Sequence, residues 1–334
     1  MLPPVVAAVD GSVEGLAAAE WAAHEAVRRE RALRLVHVWD WHPRQETGAT
    51  ANAAQRHQAG RVLRRAARRV RAVCPELTPY EDQVEGPPAE ALLKAAAEAE
   101  LLVLGSHGTG GTTGSLLGSV ALGVVARSAH PVVLVRADEE RGDEFPAGGE
   151  SPAVDEIPVG GDSPAADEPA AAYGSGYARR AGSEGGAGAG QASRDVLLGV
   201  DAYAAGEEVV RFAFEAARLR GARLRVLSAW HPPTPLTLGP AAAAAFDDPW
   251  RAEDRLGALD AVLRPWHERY PDVRVLVTAV HDRPAPALVR AARGAGLLVV
   301  GHRLTDRPGP PCTGPVTHAV IHHATCPVAV VPHF

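Results

Sequence analysis

The chain repeats itself, and the repeat limits how it can fold more than any other feature. VVAAVDGS (5–12) returns as VLLGVDAY (196–203), and LRLVHVWDWHP (33–43) returns as LRVLSAWHPP (224–233). LLVLGSHG (101–108) returns as LLVVGHRL (297–304), and AHPVVLVR (129–136) as ATCPVAVVP (324–332). The order is kept, and the offset drifts only from 191 near the start to 196 near the end. This is a tandem duplication of one domain. The 334 residues hold two such copies and something extra between them.

The extra segment is 137–193, which gives domains at 1–136 and 194–334. It carries twelve Asp or Glu against three Arg and is rich in Gly, Pro and Ala without an apolar period. Such a stretch cannot bury enough surface to offset its ordering entropy, so a disordered acidic linker is expected, with trypsin cutting first at Arg141 or Arg179-Arg180. It accounts for −9 of the net charge of −6, leaving the rest at +3. That balance argues against general nucleic-acid binding. No apolar run reaches the ~18 residues of a membrane span, and the start lacks a basic n-region, so neither a membrane nor a secreted protein is expected. Three cysteines, Cys74, Cys312 and Cys326, make no disulfide framework, and a cytoplasmic location follows.

Within the first copy, apolar runs alternate with helical patterns. Strands are predicted at 4–9, 33–39, 78–84, 101–106 and 131–136, all dominated by Val and Leu. Helices are predicted at 13–30, with Ser12 as its N-cap, and at 52–73, where Val62, Leu63, Ala66 and Val70 oppose many arginines. Further helices follow at 88–99 and 118–128. Apolar strands separated by helices imply a parallel sheet covered on both faces, so each copy is a doubly wound α/β domain. With aromatics at only 5%, the core has to be built from Ala, Val and Leu. Ligands of such sheets bind beyond the carboxyl ends of the strands. Asp10-Gly11-Ser12 after strand 1 and the loop after strand 4 lie there.

That loop, Gly105 to Ser119, holds six glycines and six hydroxyl residues. Glycines let successive N–H groups turn inward on an anion, and Gly118-Ser119 open the next helix, whose N–H groups favour phosphate. A flexible surface loop is the plain alternative. A Walker A loop is excluded because the only lysine, Lys94, lies elsewhere, and the dinucleotide fingerprint fails at Thr113.

Gly105-x-x-Gly108, nine residues, then Gly118-Ser119 resembles the ATP-binding motif of the universal stress protein family. The Val-Asp-Gly-Ser start, LLGSV and HPVVLV agree with it, and the resemblance covers about 275 residues. It implies two adenine nucleotide alpha hydrolase-like domains, each a five-stranded parallel sheet of order 3-2-1-4-5. It implies ATP, with or without Mg²⁺, as the ligand. Asp10 matches the aspartate that hydrogen-bonds adenosine, with Ala8 and Val9 beside it, and Val38 the residue packed near adenine. Leu104, Gly105, His107 and Gly108 match the support for ribose and phosphates; Gly118, Ser119, Val120 and Ala121 match the helix start that holds the distal phosphates. Each also has a structural reading: Val38 and Val120 as core, Asp10 as a cap for the first helix, His107 as a solvated loop residue.

The second copy departs from the motif. Gly301-His302-Arg303-Leu304 loses the second glycine, Gly314-Pro315 replaces Gly-Ser, and Asp201 is followed by Ala202-Tyr203. The intervening prolines remove N–H donors. This site reads as degenerate, unless Arg303 or Arg307 holds phosphate in another way. His318 and His322 have a spacing that zinc accepts, but no C-x-x-C accompanies Cys312, His323 and Cys326, and no metal site is expected. Cys74, before Pro75, reads as inert.

No catalytic set stands out. The first expectation is an ATP-binding stress or dormancy regulator that acts through conformation or an unidentified protein partner. The second is a slow ATPase or phosphotransferase on the same loop, and the third a tandem scaffold without ligand. The fifth strands, 131–135 and 327–331, are apolar sheet edges, so the copies are expected to pack as a pseudo-two-fold dimer within one chain. A further homodimer through the outer faces is open.

Overall fold

The computed structural model describes residues 2–39, 48–106, 118–137, 195–231, 250–304 and 313–334, with side chains in the two long helices from 54 and from 253 onward. The first half runs β1 (Val5–Ala8), α1 (Val13–Arg29), β2 (Leu33–Trp39), α2 (Gly48–Val73), β3 (Tyr80–Glu85), α3 (Pro88–Ala97), β4 (Leu101–Gly105), α4 (Ser119–Val125) and β5 (Val132–Val135). The second runs β6 (Val196–Gly199), α5 (Glu207–Arg220), β7 (Leu224–Trp230), α6 (Trp250–Arg269), β8 (Val275–His281), α7 (Pro284–Ala291), β9 (Leu297–Arg303), α8 (Pro315–His323) and β10 (Val328–His333). Except for Ala137, the acidic segment 137–193 lies outside the described residues.

Each half is a parallel sheet, ordered β3-β2-β1-β4-β5 and β8-β7-β6-β9-β10. The two do not remain separate sheets. β5 and β10 pair antiparallel, Val328 opposite Leu134, Ala329 opposite Val133 and Val330 opposite Val132, and a single ten-stranded sheet results. Helices cover both faces. α1, α2, α5 and α6 bury one continuous apolar layer, and α3, α4, α7 and α8 bury the other.

Local chemistry explains the elements. Ser12 caps α1 by accepting from the Gly15 N–H at 2.9 Å. Ala18, Ala19, Ala22, Ala23 and Ala26 are fully buried, so α1 lies close against the sheet. Three expectations need correction. β3 reads Tyr-Glu-Asp-Gln-Val-Glu rather than Val and Leu, because it is an outer edge strand, where charge blocks further pairing. α2 starts at Gly48, four residues before the predicted 52. The second core is not only aliphatic: Phe214, Trp266 and Tyr270 stack with ring centres 5.9–6.5 Å apart.

Charged groups cross the junction between the halves in a pseudo-symmetric pattern. At the offset of 191, Trp21 corresponds to Phe212 and Arg29 to Arg220. Arg29 stacks on Phe212 at 5.1 Å, and Arg220 on Trp21 at 5.6 Å. Both guanidiniums donate to Glu25, each at 2.6 Å. Glu25 is 0% exposed. Burial alone would raise its carboxyl, but Arg220 and Arg29 together hold it below the usual carboxylate range. The helix ends are also linked. Arg136 donates to the carbonyls of Ile321 and His322, and His302 Nε2 lies 3.3 Å from the Ala126 carbonyl.

Glu25→Ala should therefore lower stability by roughly 3–5 kcal/mol in urea unfolding, since it leaves buried Arg220 without a carboxylate and Arg29 with Glu100 alone. The folded carboxyl titrates below the ~4.3 of an unfolded glutamate. Its contribution is thus complete above that pH and lost as pH falls through the folded value. The wild-type stability curve should fall more steeply below about pH 4 than that of the Glu25→Ala chain.

A second expectation concerns the end of α1. Glu30 is exposed with φ 55° and ψ 47°, a left-handed conformation that Gly221 supplies at the same place in the second half with φ 57°. Glu30→Gly should raise stability by roughly 0.5–1 kcal/mol after the unfolded-state entropy of glycine is deducted.

Candidate functional site

The carboxyl end of β1 packs against the starts of α1 and α4 in one corner. Ala8 ends β1 opposite Val36, and Val9 and Asp10 lie just beyond it. The Val9 N–H donates to the Val36 carbonyl at 2.9 Å, and His37 Nδ1 lies 2.6 Å from the Val9 carbonyl. Asp10 Oδ1 accepts from the Ser12 N–H at 2.9 Å and from the Ser12 hydroxyl. The aspartate thus braces the cap of α1, as its structural reading held, and it also faces a cavity beside Gly11.

β4 closes on this corner from the other side. Leu104 is buried, and Gly105 lies so near α1 that a Cβ there would stand 2.8 Å from the Glu14 backbone carbon and 2.9 Å from the Gly15 nitrogen. The Gly118 N–H donates to the Ser106 carbonyl at 2.9 Å, which draws the start of α4 onto the end of β4. Ser119 and Ala121 follow in α4, Ala121 buried. Val120 is 37% exposed rather than core. Val38 is half-buried on the α3–α4 side of the sheet, opposite Val84. Ala8, Val9, Asp10, Leu104, Gly105, Gly118, Ser119 and Ala121 therefore share one end of the sheet. His107 and Gly108 lie outside the described residues.

The second half is built differently at the same place. β9 continues through Gly301 and His302 to Arg303, because β10 runs on beside it, pairing Pro332 with His302 and His333 with Arg303. The Leu304 N–H donates to the His333 carbonyl at 2.8 Å. Sheet thus occupies positions that in the first half begin the glycine loop. A Cβ on Gly301 would meet His333 Nε2 at 2.9 Å. Above β6, Arg255 lies between Tyr203 and Trp230, 5.0 and 4.9 Å from their ring centres, and 3.8 Å from Asp201. Arg307 and Cys312 lie outside the described residues.

The remaining candidates serve the fold. The His318 and His322 rings lie tilted against each other with centres 4.5 Å apart, and burial pushes the Cys326 thiol up to about 11. Cys74 is buried with its Sγ 3.4 Å from His24 Nδ1. Among the described residues, no three His, Cys, Asp or Glu are grouped so as to hold a metal, and no helix is long and apolar enough to cross a membrane. One set escaped the sequence reading. Gln58, Arg61, Arg64, Arg65 and Arg68 of α2 line the cavity that Asp10 and Gly11 face, about 410 Å³ in volume. Their spacing was visible, but arginines on the outer side of an amphipathic helix read as solvation.

The family model for the universal stress protein family matches residues 1–136 and 193–332. The chain belongs to the universal stress protein family. It is 29% identical over 333 residues to a Mycobacterium tuberculosis universal stress protein, covering 98% of this chain and 96% of that one. A universal stress protein structure from Archaeoglobus fulgidus has the same fold, with a TM-score of 0.63 at 15% identity over 98% of each chain. A universal stress protein solved in complex with cAMP is 30% identical, covering 40% of this chain and 96% of its own, with a TM-score of 0.34.

The contact of Gly105 with the α1 backbone is a tight joint of this corner and can be tested directly. Gly105→Ala should destabilise the chain by roughly 1–3 kcal/mol in urea unfolding, because the methyl group meets backbone that has to move. A change below ~0.5 kcal/mol would mean that α1 and β4 separate easily.

Proposed function

We propose that the first half binds one ATP per chain and that the protein is a cytoplasmic nucleotide-dependent regulator of stress or dormancy. In this reading, Asp10 hydrogen-bonds the adenosine, with Ala8 and Val9 beside it, and Val38 packs near adenine. Leu104, Gly105, His107 and Gly108 support ribose and phosphates, and Gly118, Ser119, Val120 and Ala121 take the distal phosphates, with Mg²⁺ as a counter-ion. The domains are 1–136 and 194–334, and the acidic segment between them is a tether. Nucleotide occupancy acts through conformation or through a protein partner.

The observation that supports this reading is the contrast between the halves. In the first, β4 ends at Gly105 and the glycine loop begins. In the second, β9 is paired to β10 through Arg303, which ties up backbone that a phosphate cradle would need. Exposed Val120 fits the same reading, since a branched apolar side chain at a helix start has no core to serve there.

The test is calorimetry with ATP on the full chain, joined to extraction of co-purified nucleotide. One site per chain is expected, and extracted ATP should persist on incubation with the protein. Gly118→Val should abolish binding, because a branched side chain fills the space of the phosphates. Gly314→Val should leave affinity unchanged, since no described residue lies within 4 Å of a Cβ at Gly314. Two equivalent sites, or equal losses from both substitutions, would overturn the assignment.

A further inference from the structure

The outward side of α2 carries a line of basic groups that the nucleotide reading does not use. Gln58, Arg61, Arg65 and Arg68 recur at three- and four-residue steps, which align side chains along one side of a helix, and Arg64 flanks them. All four arginines are exposed, and together with Gln58, Val62, Asp10 and Gly11 they line the cavity of about 410 Å³. Among the described residues, none of the four enters a salt bridge, whereas Arg69 and Arg71 next to them pair with Glu20 and Glu81. Arg61 to Arg68 span only about 10 Å of helix. Like charges at this spacing repel and weaken the helix.

The duplicated helix shows that the fold does not need them. α6 packs on the same face of the sheet, and Leu259 is fully buried where Leu63 is buried in α2. At the offset of 196, Gln58, Arg61, Arg64, Arg65 and Arg68 correspond to Asp254, Gly257, Asp260, Ala261 and Arg264. There Arg264 is paired with Asp260 at 2.7 Å. A helix side with one arginine, paired to Asp260, does the structural task in one half. The uncompensated basic one occurs in the half that keeps the glycine loop.

We propose that the α2 cleft is a second anion site, which takes a phosphate-rich small anion laid along Arg61, Arg64, Arg65 and Arg68. Guanidinium forks match phosphate oxygens two at a time. The Asp10 carboxylate bounds one end of the cleft and repels the anion toward the arginines. The cleft adjoins the proposed nucleotide site at Asp10, but its arginines lie on the α1–α2 face, whereas Gly118 and Ser119 open α4 on the opposite face, so the phosphate-holding groups of the two sites differ. The anion is either a free phosphate chain or the phosphate tail of a nucleotide.

The probe is inorganic tripolyphosphate, titrated calorimetrically into the full chain, with ATP as a parallel arm. Binding is expected to weaken about tenfold or more as salt rises from about 50 to 300 mM, and again by about tenfold in Arg61→Gln/Arg65→Gln/Arg68→Gln. The triple lysine variant keeps the charge and should fall between the two. Gly118→Val should leave tripolyphosphate binding intact, even if ATP binding by the wild type proves absent; the two readings thus fail separately. Residual ATP binding in Gly118→Val that the glutamine substitutions remove supports the cleft and identifies a nucleotide tail. Tripolyphosphate binding without it supports the cleft and identifies a free anion. The proposal is overturned if tripolyphosphate does not bind, if the glutamine variant with an unchanged melting temperature binds it equally well, if Gly118→Val abolishes it, or if single-stranded RNA binds more tightly.

Discussion

The antiparallel pairing of β5 with β10 is the contact on which the rest of the structure depends. Each half ends in a short strand of Val, Leu and Ala whose outer edge bears unpaired N–H and C=O groups. Alone, either half would expose that edge to water or to another molecule. The duplication places a complementary edge in the same chain, so the pairing is intramolecular. Joining the edges aligns α1 with α5 and the end of α4 with the end of α8. The two apolar layers then continue across the junction, so the halves share a core on both faces.

A duplicated chain can do what two identical chains cannot. Arg29 and Arg220 are related by the pseudo-two-fold, and so are their aromatic partners Phe212 and Trp21. Glu25 breaks the relation, because its counterpart is Ala216. In a symmetric pair, two glutamates would face two arginines near the axis, and one more buried charge would have to be desolvated. Here one fully buried carboxylate joins both guanidiniums, and Glu100 gives Arg29 a second partner. The helix ends follow the same logic. The carbonyls of Ala126 and His322 are equivalent at the offset of 196, yet His302 approaches one and Arg136 donates to the other. Burial pushes His302 below the usual histidine range, against the pull of the Ala126 carbonyl, so its side of the junction is uncharged near neutral pH.

Much of this was legible because the repeated segments fall on elements whose chemistry is strong. The strand pattern, the N-cap at Ser12, the parallel order and the apolar fifth strands all follow from periodicity and family resemblance. The failures have physical causes. β3 is an edge strand that carries three acidic residues, so Tyr80 to Glu85 shows little of the apolar β signal, whereas β8 at the other edge keeps it. The structural alternative for Val120, a core residue, rested on residue type, and type does not say which side of a helix faces in. The Arg29–Glu25–Arg220 cluster joins residues 195 positions apart, and no local pattern announces it. The arginines of α2 were visible as a stripe. Only their position beside Asp10 and Gly11, which depends on tertiary packing, separates a lined cleft from a solvated helix side.

The difference between the halves at the carboxyl ends of β4 and β9 also traces to the shared sheet. β10 extends to His333, beyond the point where β5 stops at Val135, and the additional residues pair with His302 and Arg303. Once paired, those backbone groups are committed to the sheet. His333 also presses on Gly301, and its side chain lies within 2.7 Å of where a Cβ on Gly206 would stand, so the start of α5 is held by the same extension. The second half therefore exchanges an open strand end for a longer ladder and a braced helix. The first half makes the opposite choice: β4 stops at Gly105. Divergence of the two copies thus separates a stiffened half from one whose strand ends stay open, and the common strand pair β5–β10 holds them in one body.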